Sequence, residues 1–404
     1  WLKVQSEGLR ARGRGRGRRS RSRGIVSFWP CSASDATRAG LMGQVLSQPV
    51  TTKESGDSSH PSRGLEWGYS AMQGWRNAME DAHFAVDLEN WDLATCFAIF
   101  DGHGGEQVAR FCERYLPDEI NKRSHKDVSA SLTEAFHSMD DMLREPTACE
   151  VLRSFSSGGI TAKGWAGNPD CIGCTANVCV VFPDRIVVAN CGDSRSVLSR
   201  RGTALPLSED HKPNLPSERA RISKAGGSVE RQQVGNIVQH RVNGNLNLSR
   251  SIGDLEYKKN YDMLPSEQMI CSTPDVSIFK REVSDEFIVL ACDGIWDVMS
   301  SQDAVDFVRE RLRAPRRRPI SHIAEELLDQ CMSPDLTMTH GLGGDNMTVI
   351  IVVLGTPGDD ETNMAENATA KAGGITPVVV QTDPFTTVED SDIVPHGLCS
   401  CRLK

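Results

Sequence analysis

Seven short runs along the chain carry apolar patterns of strand length: 83–88, 95–100, 176–182, 185–190, 196–199, 286–292 and 347–354. Gly, Asp, Asn or Pro turn signals separate many of them. Runs 176–182 and 185–190, joined at Pro183-Asp184, predict a hairpin. Between the runs, apolar residues recur at helical spacing. Val108, Phe111, Cys112 and Tyr115 share one side of a helix over 106–115. Leu132, Phe136, Met139 and Leu143 share one over 129–143, and residues 302–313 and 320–331 repeat the pattern. Antiparallel pairs with amphipathic helices predict an α+β domain, sheet packed on sheet and covered by helices.

The flanks read differently. Residues 10–23, RARGRGRGRRSRSR, are basic and of low complexity, so they cannot build a core and are expected to be disordered. They suit a nucleic-acid or nuclear-import tail. The first methionine, Met42, opens MGQVLS, which fits the N-myristoylation pattern at Gly43. A start at Met42 would leave the basic arm upstream, with membrane association only through Gly43. Residues 1–64 are therefore expected to be arm and polar linker, 65–355 the folded domain, and 356–404 an acidic disordered tail. Residues 154–173, rich in Gly and Ser, are expected to be an irregular loop.

Composition narrows the class. Of 404 residues, 39% are hydrophobic and 25% charged, which suits a globular domain with a sizeable core. No run approaches the roughly 18 apolar residues of a membrane-spanning helix. Thirteen cysteines are scattered through apolar segments, the pattern of reduced, buried thiols in a cytosolic or nuclear protein. Cys171 and Cys174 have C-x-x-C spacing, but no second such pair completes a zinc site. The net charge is −9, although Lys3 and nine arginines make residues 1–40 strongly basic. The folded body is thus acidic, and no nucleic-acid binding is expected of it.

Acids sit against strand ends in five places. Glu80 and Asp81 precede the run at 83–88, and Asp101 ends the run at 95–100. Asp193 follows Asn190 by three residues. Asp293 ends FIVLACD with Asp297 one turn on, and Asp345 and Asn346 precede MTVIIVVL. In antiparallel sheets, strand ends and neighbouring strand starts lie side by side, so these acids can meet at one edge. Converging carboxylates repel, and hard divalent cations remove the conflict. Oxygen-only donors favour Mg²⁺ or Mn²⁺ over zinc.

The segments GWRNAMEDAH (74–83), FAIFDGHGG (97–105), GCTA (173–176), VANCGDSR (188–195), EDHKP (209–213), NLSRSIGD (247–254), ACDGIWDV (291–298) and GGDNMTVI (343–350) resemble, in order, the metal-dependent protein phosphatases of type 2C. The resemblance spans residues 65–355. It implies a four-layer α-β-β-α sandwich with two central antiparallel sheets and a binuclear Mn²⁺/Mg²⁺ centre. It also implies phosphoserine and phosphothreonine protein substrates, cleaved by a metal-bridged hydroxide without a phosphoenzyme; a monomer is expected. By the same resemblance, Asp101 bridges both ions, while Glu80 and the Gly102 carbonyl complete one. Asp293 and Asp345 hold the other, and Asp193 with Asp293 forms a weaker third site. Arg76 clamps phosphate, His103 is the general acid, and Asp81 and Asp297 support the ligands.

The residue types suit that chemistry. A guanidinium offers phosphate a planar fork, and a histidine titrates near working pH. His83, His211 and His240 are expected to be structural or substrate-side. The loop 154–173 and region 255–270 are the places where substrate choice is expected.

Overall fold

The computed structural model describes residues 45–123, 125–155, 168–234, 237–314, 318–355 and 378–380. Gly43, the basic stretch 10–23 and most of the acidic tail lie outside the described residues.

Strands β1 (Val45–His60), β2 (Leu65–Arg76), β3 (Ala82–Leu88), β4 (Ala94–Phe100) and β5 (Gly102–His103) come first. Helices α1 (Gln107–Asn121), α2 (Val128–Leu143) and α3 (Ala148–Ser154) follow. Then come β6 (Gly173–Cys174), β7 (Ala176–Val181), β8 (Arg185–Cys191), β9 (Arg195–Arg200) and β10 (Thr203–Pro206). Helix α4 (Pro216–Lys224) precedes β11 (Val229–Val234), β12 (Ile237–Val242), β13 (Ile252–Gly253), β14 (Asp275–Lys280) and β15 (Asp285–Ala291). The last elements are α5 (Asp293–Trp296), α6 (Ser301–Leu312), α7 (Ile320–Cys331), β16 (Met347–Leu354) and β17 (Val378–Val380).

Among the described residues, two antiparallel six-stranded sheets run β1-β2-β16-β15-β9-β10 and β17-β14-β8-β7-β4-β3. Side chains alternate across each strand, and in the central strands β4 and β16 both faces are buried. In β4, Phe97 and Ile99 enter the core between the sheets, while Cys96, Ala98 and Phe100 face α1 and α2. In β16, Ile350 and Val352 face the other sheet, while Val349 and Ile351 face α6 and α7. This is why those runs are continuously apolar rather than alternating. Phe97 and Phe100 are fully buried on opposite faces, each worth roughly 1.5–3 kcal/mol. The predicted four-layer sandwich is the observed fold.

Part of the expected polar linker within 1–64 is instead a strand. Val45–His60 is an edge strand paired antiparallel to β2, in register from Lys53↔Met72 to His60↔Leu65. Its side chains mostly face water, so its pattern is polar although its backbone is paired. Strand β2 itself escaped the apolar pattern because glycines interrupt it. At Gly68 a Cβ would overlap the start of α7 at Ile320 and Ser321, so the glycine permits close packing of helix on sheet. The region expected to be a disordered tail also contributes β17, paired to β14.

Register aligns the strand ends. Ala82 pairs with Phe100, and Ala176 with Cys191. In the other sheet Met347 pairs with Met72, and Ala291 pairs with both Val349 and Arg195. The acids just beyond these residues therefore emerge at one edge of the sandwich.

Candidate metal centre

Asp101 leaves the end of β4 with its backbone held on both sides. Its N–H donates to Thr175 Oγ1 at 3.0 Å, and its carbonyl accepts the Thr175 N–H at 2.9 Å. Thr175 Oγ1 lies 2.7 Å from Ser194 Oγ, which ties this end to the turn carrying Asp193. Burial pushes the Asp101 carboxyl well above the usual range, and Asp293, Asp81, Asp345 and Asp193 raise it further. Asp293 begins α5 and is raised by burial and by Asp193, Asp345 and Asp297, against the pull of Lys212.

The loop before β3 is anchored by Asn346. Its Oδ1 accepts the Glu80 N–H at 2.9 Å, and its Nδ2 donates to the carbonyls of Gln73 at 2.8 Å and Ala78 at 3.0 Å. Burial raises the Glu80 carboxyl, and His103 and Arg76 partly offset this. A Cβ at Gly102 would overlap the Glu80 carbonyl, so the two backbones meet here because position 102 is glycine.

Asp81 Oδ2 accepts from Thr348 Oγ1 at 2.7 Å, whereas the buried Oδ1 has no hydrogen-bond partner. Burial lifts this carboxyl to about 7 despite the Thr348 bond. Donor atoms of Asp81, Asp101 and Cys292 all lie within 4.8 Å of one another. Burial holds the Cys292 thiol well above its usual pKa, so at neutral pH it is protonated and ill suited to a hard cation. Asp297 closes α5, its N–H donating to the Asp293 carbonyl at 2.9 Å, and burial raises its carboxyl too.

Arg76, at the end of β2, pairs with Asp345 at the rim. Burial opposes its charge, but Asp345, Asp101 and Asp293 hold its pKa above the ordinary value. With 43% of its side chain exposed, it can also meet a ligand from solvent. Asp193 is buried against Lys212, whose Nζ lies 2.5 Å from Oδ2. His103 Nε2 lies 2.7 Å from Asp254 Oδ2.

The structure thus gathers Glu80, Asp81, Asp101, Asp193, Asp293, Asp297 and Asp345 with Arg76 and His103. Acids outnumber Arg76, Lys212 and His103, and one buried carboxylate oxygen has no partner. This donor set suits divalent cations.

Sequence reasoning passed over Lys212, Asp254 and Asn346 as working residues. Asp254 and Lys212 lay inside recognised segments, yet nothing in one dimension pointed them at His103 and Asp193. Two other histidines are structural. His83 packs on Tyr69 with ring centroids 4.3 Å apart, and burial lowers it to about 4. His211 accepts the Gly192 N–H at 3.1 Å through Nδ1 and reaches Asp275 at 3.1 Å through Nε2. Cys171 and Cys174 do not join in one site: Cys174 lies 3.7 Å from Cys112, and Cys171 lies 3.9 Å from Glu256.

Comparison with known proteins gives the family. The family profile of protein phosphatase 2C matches residues 65–339. Probable protein phosphatase 2C 21 of Arabidopsis thaliana is 41% identical over 80% of this chain and 95% of its own length. Protein phosphatase 2C homolog 2 of Schizosaccharomyces pombe is 41% identical over 78% of this chain and 79% of its own. The crystal structure of a Toxoplasma gondii phosphatase shares the fold at a TM-score of 0.59 and 24% identity, covering 76% of this chain and 96% of that one. Fold and site define a metal-dependent protein serine/threonine phosphatase, acting on phosphoproteins. The chain belongs to the protein phosphatase 2C family.

Proposed function

We propose that the site holds two Mn²⁺ or Mg²⁺ ions, with a weaker third position, and that water cleaves the phosphomonoester directly, without a phosphoenzyme. Asp101, Glu80, the Gly102 carbonyl, Asp293 and Asp345 would hold the ions. Asp193 with Asp293 offers the third position. The observation that carries this reading is the excess of buried carboxylate around Asp101. Bound divalent cations cancel that repulsion and acidify water for attack on phosphorus.

The chain's own groups do the rest. Arg76 lends its planar fork to the phosphate oxygens, held toward the rim by Asp345. His103 gives a proton to the departing seryl or threonyl oxygen. Asp81, fastened to Thr348, and Asp297, at the end of α5, back the ligands from behind.

The test is hydrolysis of phosphoserine and phosphothreonine peptides with added Mn²⁺ and with excess chelator. Turnover should require the metal, and acid quenching in mid-turnover should trap no phosphorylated enzyme. Full activity in chelator, or a trapped phosphoenzyme, overturns the mechanism.

A further inference from the structure

His103 does not stand alone at the rim. Strand β5 pairs with β6, and β6 with β13, in the register His103↔Gly173↔Gly253. This three-strand patch brings Asp254, the residue after β13, across from the imidazole. Nε2 and Oδ2 lie 2.7 Å apart, with only 4% of the Asp254 side chain exposed. Gly173 makes the contact possible, since a Cβ there would overlap the Asp254 carboxylate and come within 2.7 Å of His103 Nε2.

Asp254 is itself held. Its Oδ2 accepts from Ser251 Oγ at 2.5 Å. Its backbone sits at φ 50°, ψ 40°, a left-handed conformation that its surroundings must enforce. Behind it, Asp140 accepts the Gly253 N–H at 2.9 Å and pairs with buried Lys258 at 2.6 Å, while Lys258 also donates to the Ser251 carbonyl at 2.7 Å. A buried ion pair thus locks the loop that aims the carboxylate.

We propose that Asp254 is the positioning residue of the phosphatase reaction, holding the doubly protonated His103 through Nε2–H so that the second proton, on Nδ1, faces the leaving oxygen. A carboxylate can only accept, so the imidazole nitrogen facing it carries hydrogen. As the bond from phosphorus to the seryl or threonyl oxygen breaks, its electron pair stays on that oxygen. The oxygen takes the Nδ1 proton, and His103 is left neutral with Nε2–H on Asp254. The attacking water oxygen forms the new bond to phosphorus, and its two protons leave with the inorganic phosphate. This inference rests on His103 being the general acid.

The experiment compares leaving groups. A threonyl alkoxide needs a proton to depart, whereas the phenolate of p-nitrophenyl phosphate leaves without one. In Asp254→Asn, a neutral amide replaces the charged acceptor of Nε2–H, so His103 is no longer held as the doubly protonated ring that has a proton to give from Nδ1. Its kcat on a phosphothreonine peptide should fall by about tenfold or more, with KM little changed and p-nitrophenyl phosphate turnover nearly kept. Gly173→Ala should show the same selectivity by pushing the pair apart. The ratio of the two substrates, taken on one preparation, is independent of how much protein is folded.

An equal loss on both substrates, or no loss on either, overturns the proposal. His103→Ala separates the two levels. If it shows the selectivity and Asp254→Asn does not, only the positioning role fails. If neither shows it, the general-acid reading of His103 fails, and the positioning role with it.

Discussion

Lys212 Nζ lies 2.5 Å from Asp193 Oδ2, so the buried carboxylate proposed for a third cation already has an ammonium partner. Any divalent ion approaching Asp193 must displace or face that charge. Lys212→Met should leave Asp193 buried and unpaired, lowering metal-free stability on the order of 1–3 kcal/mol, Lys212 being one-third exposed. Added Mn²⁺ should restore more stability to the variant than to wild type, because the ion then has an open carboxylate. Melting curves with and without Mn²⁺ check this, and equal metal-induced shifts in both proteins would count against it.

Asp101→Asn should separate activity from folding. The change removes one negative charge from a buried cluster whose members raise one another's pKa. Metal-dependent turnover should fall by at least about a hundredfold. The metal-free variant should melt no lower than wild type, since repulsion has been relieved. Phosphopeptide kinetics and calorimetry in chelator read both halves.

Asp57 tests whether β1 is part of the folded domain. Its carboxylate accepts the Ser321 N–H at 2.8 Å and also bonds the Ser321 hydroxyl, capping the start of α7 from another element. Asp57→Ala should cost about 1–2 kcal/mol in urea unfolding. Activity should stay unchanged under conditions where the variant is folded. No change in the unfolding midpoint would contradict this role.

Glu218 sets a limit on acid stability. It is buried, which alone would raise its carboxyl, but Arg221 and Arg250 bring it down to about 2 from 4.5. A depressed folded pKa contributes stability that is complete above about pH 4.5 and lost as pH falls toward 2. The contribution is about 3 kcal/mol. Glu218→Gln should therefore be much less stable than wild type at pH 7, and the gap should narrow between pH 5 and pH 2. Unfolding curves at those pH values decide it.

Legibility followed burial. The strands β4, β15 and β16 read clearly because both their faces are buried, and the helices α1, α2, α6 and α7 read clearly from one apolar stripe each. Strand β1 stayed hidden because an edge strand pairs its backbone while its side chains face water. Helix α3 was missed because its seven residues offer too short a period. The cluster around Asp101 was legible because acids recur at strand ends, and an antiparallel register has few ways to keep such ends apart.

By itself, the chain's order of residues determined the class of fold, the family and the acids that gather at one edge. Those properties follow from local apolar period and from short segments whose chemistry is contiguous. Which cation faces Asp193, which carboxylate orients His103 and what caps α7 were decided only in three dimensions. Each of those pairs joins residues far apart in the chain, from 19 between Asp193 and Lys212 to 264 between Asp57 and Ser321. Hydrogen bonds act over a few ångströms of space, and only the register of the two sheets and the packing of α7 bring such partners within reach.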